Sequence, residues 1–240
     1  MEFAGENRAQ MPAKRINDSV LGAMERPTLI WMASRLPAWT TPDQLTAFGF
    51  AGALLAAVGY VGSRSSITML WLACLGLVMN WLGDSLDGTL ARVRRIERPR
   101  YGFFVDHASD LFAQPIVFLG LGLSPCARFE VACLGLVAFL MAFVYTMIYA
   151  EVRDTMRITY FGFGPTEIRV LLVLGNLITA TFGVIDLAEW IGLLKPLRPV
   201  SIFDLLIAVL SVITVVALAL LAFAEGRQLS REDPPRSGAA

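Results

Sequence analysis

Cysteine is scarce in this chain. Cys74, Cys126 and Cys133 lie in apolar surroundings without metal-ligand spacing, and an odd count completes no disulfide framework. They read as small buried hydrophobes rather than redox groups. Histidine occurs once, as His107. Net charge is missing too: 20 basic residues offset 20 acidic ones, so bulk charge names no partner. The opening residues are polar and lack an apolar core segment, so no cleavable signal peptide is expected. Neither an internal repeat nor a nucleic-acid-binding module is evident, and no nucleic-acid partner is expected.

What is abundant is apolar surface. Of 240 residues 56% are hydrophobic, and the mean hydropathy is +0.62, too apolar for an ordinary soluble domain. Six stretches are each near the ~20 residues needed to cross a bilayer core. They run from Thr41 to Val61, Ile67 to Arg92, Phe103 to Leu121, Phe129 to Ala150, Glu167 to Ile185 and Ile202 to Phe223. The expectation is an all-α polytopic membrane protein with six transmembrane helices. Thr41 with Pro42 forms an N-cap and first helical position for the first span. Ahead of it, Met1 to Ser19 reads as a mobile cytosolic tail. Val20 to Trp39, interrupted by Pro27, reads as an N-terminal interfacial amphipathic helix with Trp31 and Trp39 at headgroup level. The chain divides into a tail and interfacial segment over 1–40, a membrane domain over 41–224, and a charged, Pro/Ser/Gly-rich disordered tail over 225–240.

Arginine placement sets the orientation. Arg94, Arg95, Arg98 and Arg100 crowd the loop after the second span, Arg153 and Arg157 follow the fourth, and Arg227, Arg231 and Arg236 follow the sixth. The opposite loops hold only Arg64, Arg128, Lys195 and Arg198. Both tails and the Arg94–Arg100 loop are therefore placed in the cytoplasm.

The informative stretch is Asp84-Ser-Leu-Asp-Gly-Thr-Leu-Ala-Arg92 and its continuation Gly102-Phe-Phe-Val-Asp-His-Ala-Ser-Asp110. Ionisable groups at membrane depth are costly and usually functional. Asp84 and Asp87 are spaced i, i+3, and Asp106 and Asp110 i, i+4, so each pair shares one helix face. Four acids pressed together repel one another unless a cation holds them, and hard divalent cations take such oxygen ligands. Gly88 and Ala91 fall near the Asp84 face and leave space beside the acids, while Arg92 offers a planar fork for phosphate. Acid, gap and fork together suggest a metal-bound diphosphate.

Asp84-x-x-Asp87-Gly88-x-x-Ala91-Arg92 followed by Gly102-x-x-x-Asp106-x-x-x-Asp110 resembles the signature of the CDP-alcohol phosphotransferases, also called CDP-alcohol phosphatidyltransferases. The loop Val93–Tyr101 is one residue longer than the usual family spacing, and Asp43 stands where a family asparagine is common in a similar Thr-Pro-Asn-x-Leu-Thr entry. The resemblance implies an integral-membrane enzyme of phospholipid synthesis that moves a substituted phosphate from a CDP-alcohol to an acceptor alcohol and releases CMP. It further implies Mg²⁺ or Mn²⁺, two ions, and a homodimer. Asp84, Asp87 and Asp106 would be metal ligands, and Asp110 a ligand, the general base or both. Gly88, Ala91, Arg92 and Gly102 would shape the CDP-alcohol site. The expected setting is a bacterial inner membrane with the site on the cytoplasmic side.

Other readings stay open. Asp106-His107-x-x-Asp110 resembles the Asp-His-Gly-Cys-Asp form of the choline/ethanolamine branch, where an imidazole could take the alcohol proton near neutral pH. Equally, position 107 points about 100° from the Asp106 face, which suits a structural histidine. Gly164-Pro-Thr-Glu167 resembles a Gly-Pro-x-Glu segment of that branch, with Thr166 or Glu167 lining an acceptor site, or it simply starts a helix. These features lean toward a CDP-choline or CDP-ethanolamine donor with diacylglycerol as acceptor. The alternative is a CDP-diacylglycerol donor with a small polar alcohol, for which Arg153 or Arg157 would supply a basic pocket. From another class, the carboxylates could serve an ion- or proton-coupled transporter.

Overall fold

The computed structural model describes residues 14–16, 20–153, 155–157, 164–187 and 200–234. Among these residues seven α-helices carry the chain: α1 (Val20–Arg35), α2 (Pro42–Gly62), α3 (Leu70–Arg94), α4 (Pro99–Gly122), α5 (Phe129–Arg153), α6 (Pro165–Phe182) and α7 (Ile202–Glu232). A 3-10 turn at Ile67–Met69 leads into α3. Two three-residue strands, β1 (Lys14–Ile16) and β2 (Thr155–Arg157), pair in parallel with Lys14 opposite Thr155. The architecture is all-α and polytopic.

Local chemistry accounts for the helix starts. Thr41 caps α2 as its sequence predicts: Thr41 Oγ1 accepts from Gln44 N at 3.2 Å, Gln44 Oε1 accepts from Thr41 N at 2.9 Å, and Pro42 opens the first turn. Ser201 and Asp204 form the same reciprocal box at α7. Asp204 also accepts from Arg128 N at 2.7 Å, which ties the start of α5 to the start of α7. At its other end α3 stops at Arg95, whose φ of 56° lets its N–H fold back on the last turn.

α2 lies against both α3 and α4, α6 packs on α3, α5 on α4, α7 on α5, and α1 lies along α3. The α2–α3 crossing is made by small residues. A Cβ on Gly83 would run into the backbone of Gly49, and one on Gly76 into the backbone of Ala56, so the helices touch main chain to main chain. Asn80 Nδ2 donates across this seam to Gly49 O at 3.1 Å. Tyr60, Leu70, Leu121, Cys126 and Phe203 fill the main core, and Leu29 and Ala33 of α1 close a second one over Leu86 and Leu90. Outward faces carry Val137, Val144 and Ile148 on α5, and Val212, Val216 and Leu220 on α7, as a lipid-facing surface requires. α1 continues through Pro27 and leaves Trp31 and Trp39 exposed beside it, with Arg35 stacked on the Trp31 ring at 4.1 Å.

Two expectations change. Six spans were expected, and five helices are long and apolar enough to cross a membrane among the described residues: α2, α3 with its leading turn, α5, α6 and α7. α4 is 24 residues long, but Arg100, Asp106, His107 and Asp110 in its first half lower its apolar character. The last helix also continues to Glu232, so the tail read as disordered from Glu225 is helical over its first turns. The reason is Arg153 at the end of α5, which is ion-paired to both Glu225 and Glu232. Residues 1–13 and 235–240 lie outside the described residues.

Candidate active site

The last turns of α3 and the first of α4 bring the acids together. Asp84, Asp106 and Asp110 each present a carboxylate oxygen within 4.8 Å of the others. The i, i+4 spacing on α4 and the turn between the helices produce this meeting of three side chains. Asp87 sits one turn further along α3, only 7% exposed, within electrostatic reach of Asp84 and Asp106. Its oxygens are held instead by Thr46 Oγ1, which donates at 2.7 Å, and by Gly88 N at 2.5 Å. Thr46 has one hydroxyl proton. The Asp87 contact is shorter than that to Pro42 O at 3.2 Å and takes it.

A cation absent from the sequence reading completes the cluster. Arg169 on α6 places Nη1 at 2.8 Å from Asp84 Oδ2, with its side chain only 9% exposed. Asp110 also lies within the field of this guanidinium. Its signal was available: a charge one turn inside an apolar span is costly enough to demand a partner. Local spacing gave no hint that α6 would lie against α3.

The remaining expected residues are placed as follows. Arg92 folds back along its own helix, donating from Nη2 to Thr89 Oγ1 at 3.1 Å, and Nη1 lies 3.2 Å from where a Gly88 Cβ would stand. Gly88 therefore gives room to the fork itself. Ala91 is partly exposed on the same stretch of α3, and Gly102 at the start of α4 faces open space. His107 Nδ1 lies 2.8 Å from Phe103 O. A carbonyl only accepts, so Nδ1 carries a proton, and in the neutral ring Nε2 holds the lone pair. The imidazole stacks on Phe103 at 4.2 Å, and its Nδ1 is 3.6 Å from Asp106 Oδ2.

The second group is more dispersed. Glu167, 8% exposed, accepts from Gly164 N at 2.9 Å and from Leu21 N at 3.0 Å. Both its oxygens thus cap helix starts, one on α6 and one on α1. Thr166 Oγ1 reaches Glu25 Oε1 at 3.5 Å, and Glu25 Oε2 accepts from Trp81 Nε1 at 3.0 Å. Arg153 is engaged by Glu225 and Glu232 on α7. The Arg157 side chain lies outside the described residues. Asp43, which departs from the family asparagine, accepts from Arg98 Nη2 at 2.7 and 2.8 Å, and this hydrogen bond holds the Arg98 guanidinium above its ordinary pKa.

The donor set fits a hard divalent cation. Three converging carboxylates offer only oxygen, with no thiolate or imidazole ligand among the described residues at the cluster, and this is the ligand type Mg²⁺ and Mn²⁺ take. One guanidinium offsets part of the negative charge and leaves the rest to be balanced.

Comparison with known proteins points the same way. The chain is 28% identical over 178 residues to cholinephosphotransferase 1 of Gallus gallus, covering 69% of this chain and 51% of the relative. It is 26% identical over 167 residues to cholinephosphotransferase 1 of Danio rerio, covering 64% and 42%. The chain thus spans about half the length of the curated relatives it matches. The sequence model of the family described as CDP-alcohol phosphatidyltransferase matches residues 39–197, a stretch that runs from the α2 cap through the acid cluster and past Arg169. With the aspartates of α3 and α4 inside that match, the chain belongs to the CDP-alcohol phosphatidyltransferase family.

Proposed function

We propose that this protein transfers a substituted phosphate from a CDP-alcohol to an acceptor alcohol and releases CMP, in a divalent-metal-dependent reaction at the cytoplasmic end of its helices. The observation that carries the proposal is the convergence of Asp84, Asp106 and Asp110 from two successive helices, with Asp87 held beside them by Thr46. Asp84, Asp87, Asp106 and Asp110 would hold Mg²⁺ or Mn²⁺, as two ions. When bound, such ions supply charge neutralisation for a diphosphate and for a departing phosphate.

The chain's own groups do the rest. Gly102 leaves the backbone open to the ligand, and Arg92 presents its fork over Gly88, whose missing side chain makes room for it. The acceptor oxygen attacks the phosphorus that bears the donated alcohol. The bond from that phosphorus to the bridging oxygen breaks, and its electron pair leaves with CMP. The acceptor proton passes to Asp110 or to Nε2 of His107, whose tautomer is set by Phe103 O.

For the donor, the proposal favours CDP-choline or CDP-ethanolamine with diacylglycerol as acceptor. It is supported by the two cholinephosphotransferase relatives. The second reading is a CDP-diacylglycerol donor with a small polar alcohol. The buried Arg169 favours it by adding positive charge beside the acids. A transporter reading predicts no chemistry at all.

The test is purified protein in lipid nanodiscs given labelled CDP-choline, CDP-ethanolamine or CDP-diacylglycerol, each with candidate acceptors and Mg²⁺ or Mn²⁺. Metal-dependent CMP release with one donor is expected. No release from any donor overturns the proposal and leaves transport. The family resemblance also implies a homodimer, which mass photometry of the nanodiscs reads directly, and the proposed setting in a bacterial inner membrane is read by membrane fractionation.

A further inference from the structure

Arg169 is a buried cation with half its fork unused. Nη1 donates to Asp84 Oδ2 at 2.8 Å, and Nη2, shielded from solvent, has no hydrogen-bond partner among the described residues. A buried donor left unpaired loses its hydration without return, so such atoms are rare unless something is meant to meet them. A guanidinium is planar and its two Nη atoms lie side by side, so Nη2 is carried to the acid cluster by the bond that Nη1 makes. The charge of Arg169 also reaches Asp110 on the cluster's other helix. An arginine serving only as counter-ion to Asp84 would be served by a two-pronged contact. This contact is one-pronged, and the second prong is shielded from solvent without a protein partner among the described residues.

We propose that Arg169 binds substrate: Nη1 orients Asp84, and Nη2 donates to a phosphate oxyanion brought to the Asp84–Asp106–Asp110 cluster. The inference rests on the proposed phosphotransfer reading and adds to it a binding residue from α6, a helix outside the aspartate motif. Two substrates carry the required chemistry, the CDP-activated donor and a phosphorylated acceptor alcohol.

The test measures binding without turnover. Full-length protein in nanodiscs is titrated with Mn²⁺, then with CDP or with glycerol 3-phosphate at saturating Mn²⁺. Wild type, Arg169→Lys and Arg169→Gln are compared, with nucleotide-free thermal melting as a check on folding. Arg169→Gln is expected to weaken one of the two anions by tenfold or more at saturating Mn²⁺, beyond whatever change in Mn²⁺ affinity follows from the lost Asp84 contact. Arg169→Lys is expected to fall between it and wild type. The anion that weakens identifies the source of the oxyanion. Unchanged affinity for both overturns the inference. So does anion weakening that only matches a parallel loss of Mn²⁺ binding, because Arg169 then acts only through Asp84. If Arg169→Gln does not fold, Arg169→Lys decides alone: weakened anion binding supports the inference, and wild-type affinity overturns it. A wild-type protein that binds neither Mn²⁺ nor CDP instead brings down the phosphotransfer reading, and this inference with it.

Discussion

Asp106 and Thr46 separate direct from indirect roles at the residue scale. Asp106→Asn removes one of three converging carboxylates and adds no volume, so Mn²⁺ binding and CMP release should both collapse while the protein still inserts and melts normally. Turnover that persists near the wild-type rate would take Asp106 out of the site. Thr46 fixes Asp87 from the neighbouring helix. Removing such an outer partner typically weakens metal binding by ~10–100-fold. Thr46→Val should therefore raise the Mn²⁺ dissociation constant by about tenfold, and Thr46→Ser, which keeps the hydroxyl, should restore it. His107→Ala tests the proton acceptor: a loss of ~10²-fold or more in turnover is the size a general base commands, and unchanged turnover assigns the ring to packing on Phe103. The aspartates were legible in the sequence because their spacings of three and four project onto single helix faces. Arg169 was not, because its partner is 85 positions away and only the packing of α6 on α3 brings them together. Glu167 was half legible. Its place three residues after Gly164 announces a cap, but its hold on Leu21 of α1 depends on tertiary structure.

At the scale of elements, the α2–α3 seam is the rigid part. The aspartates of α3 keep their relation to Thr46 of α2 because Gly49, Gly52, Gly76 and Gly83 allow the two backbones into contact. Gly83→Ala should force them apart and cost roughly 1–3 kcal/mol, the range for overpacking a close contact. The measurement is the melting temperature together with Mn²⁺ affinity, and both should drop, since Asp84 is its neighbour in the chain. A fall in neither would show that the helices slide without consequence. A milder change at the same element, Thr41→Ala, deletes the α2 cap and should cost about 1 kcal/mol with metal binding intact. Helix starts with a cap and proline were readable, as at Thr41 and Pro42. The end of α7 was not, because the ion pairs of Arg153 with Glu225 and Glu232 join residues from two distant helices.

At the scale of the whole molecule, the proposed topology, in which α4 crosses with the five helices that are apolar enough on their own, puts the arginine-rich turn between α3 and α4 and the C-terminal end of α7 on one side of the membrane. Single cysteines placed at Arg95 and at Gln228 in a background lacking Cys74, Cys126 and Cys133 should both react with an impermeant maleimide only in inside-out vesicles. Labelling of the two from opposite sides would refute the topology. Not all of those arginines are free to face headgroups. Arg94 donates to the carbonyls of Leu36 at 2.9 Å, Pro37 at 2.8 Å and Thr40 at 2.6 Å, binding the α1–α2 linker to the end of α3. The polytopic class was evident from composition; five of the described helices qualify as spans on length and apolarity alone, and the polar first half of α4 makes sense once its neighbours are known.

That divided helix has a consequence for biogenesis. A nascent α4 leaving the ribosome gains too little from lipid to settle there unaided, because its aspartates would meet hydrocarbon before they meet α3 and α6. The expected order is retention of α4 until its companions arrive, and Arg169 comes last in the chain of the residues that touch the cluster. Assembly of the acid cluster then becomes a late step in synthesis, so a ribosome stalled before α6 should leave behind a chain that a membrane-bound protease recognises as unfinished.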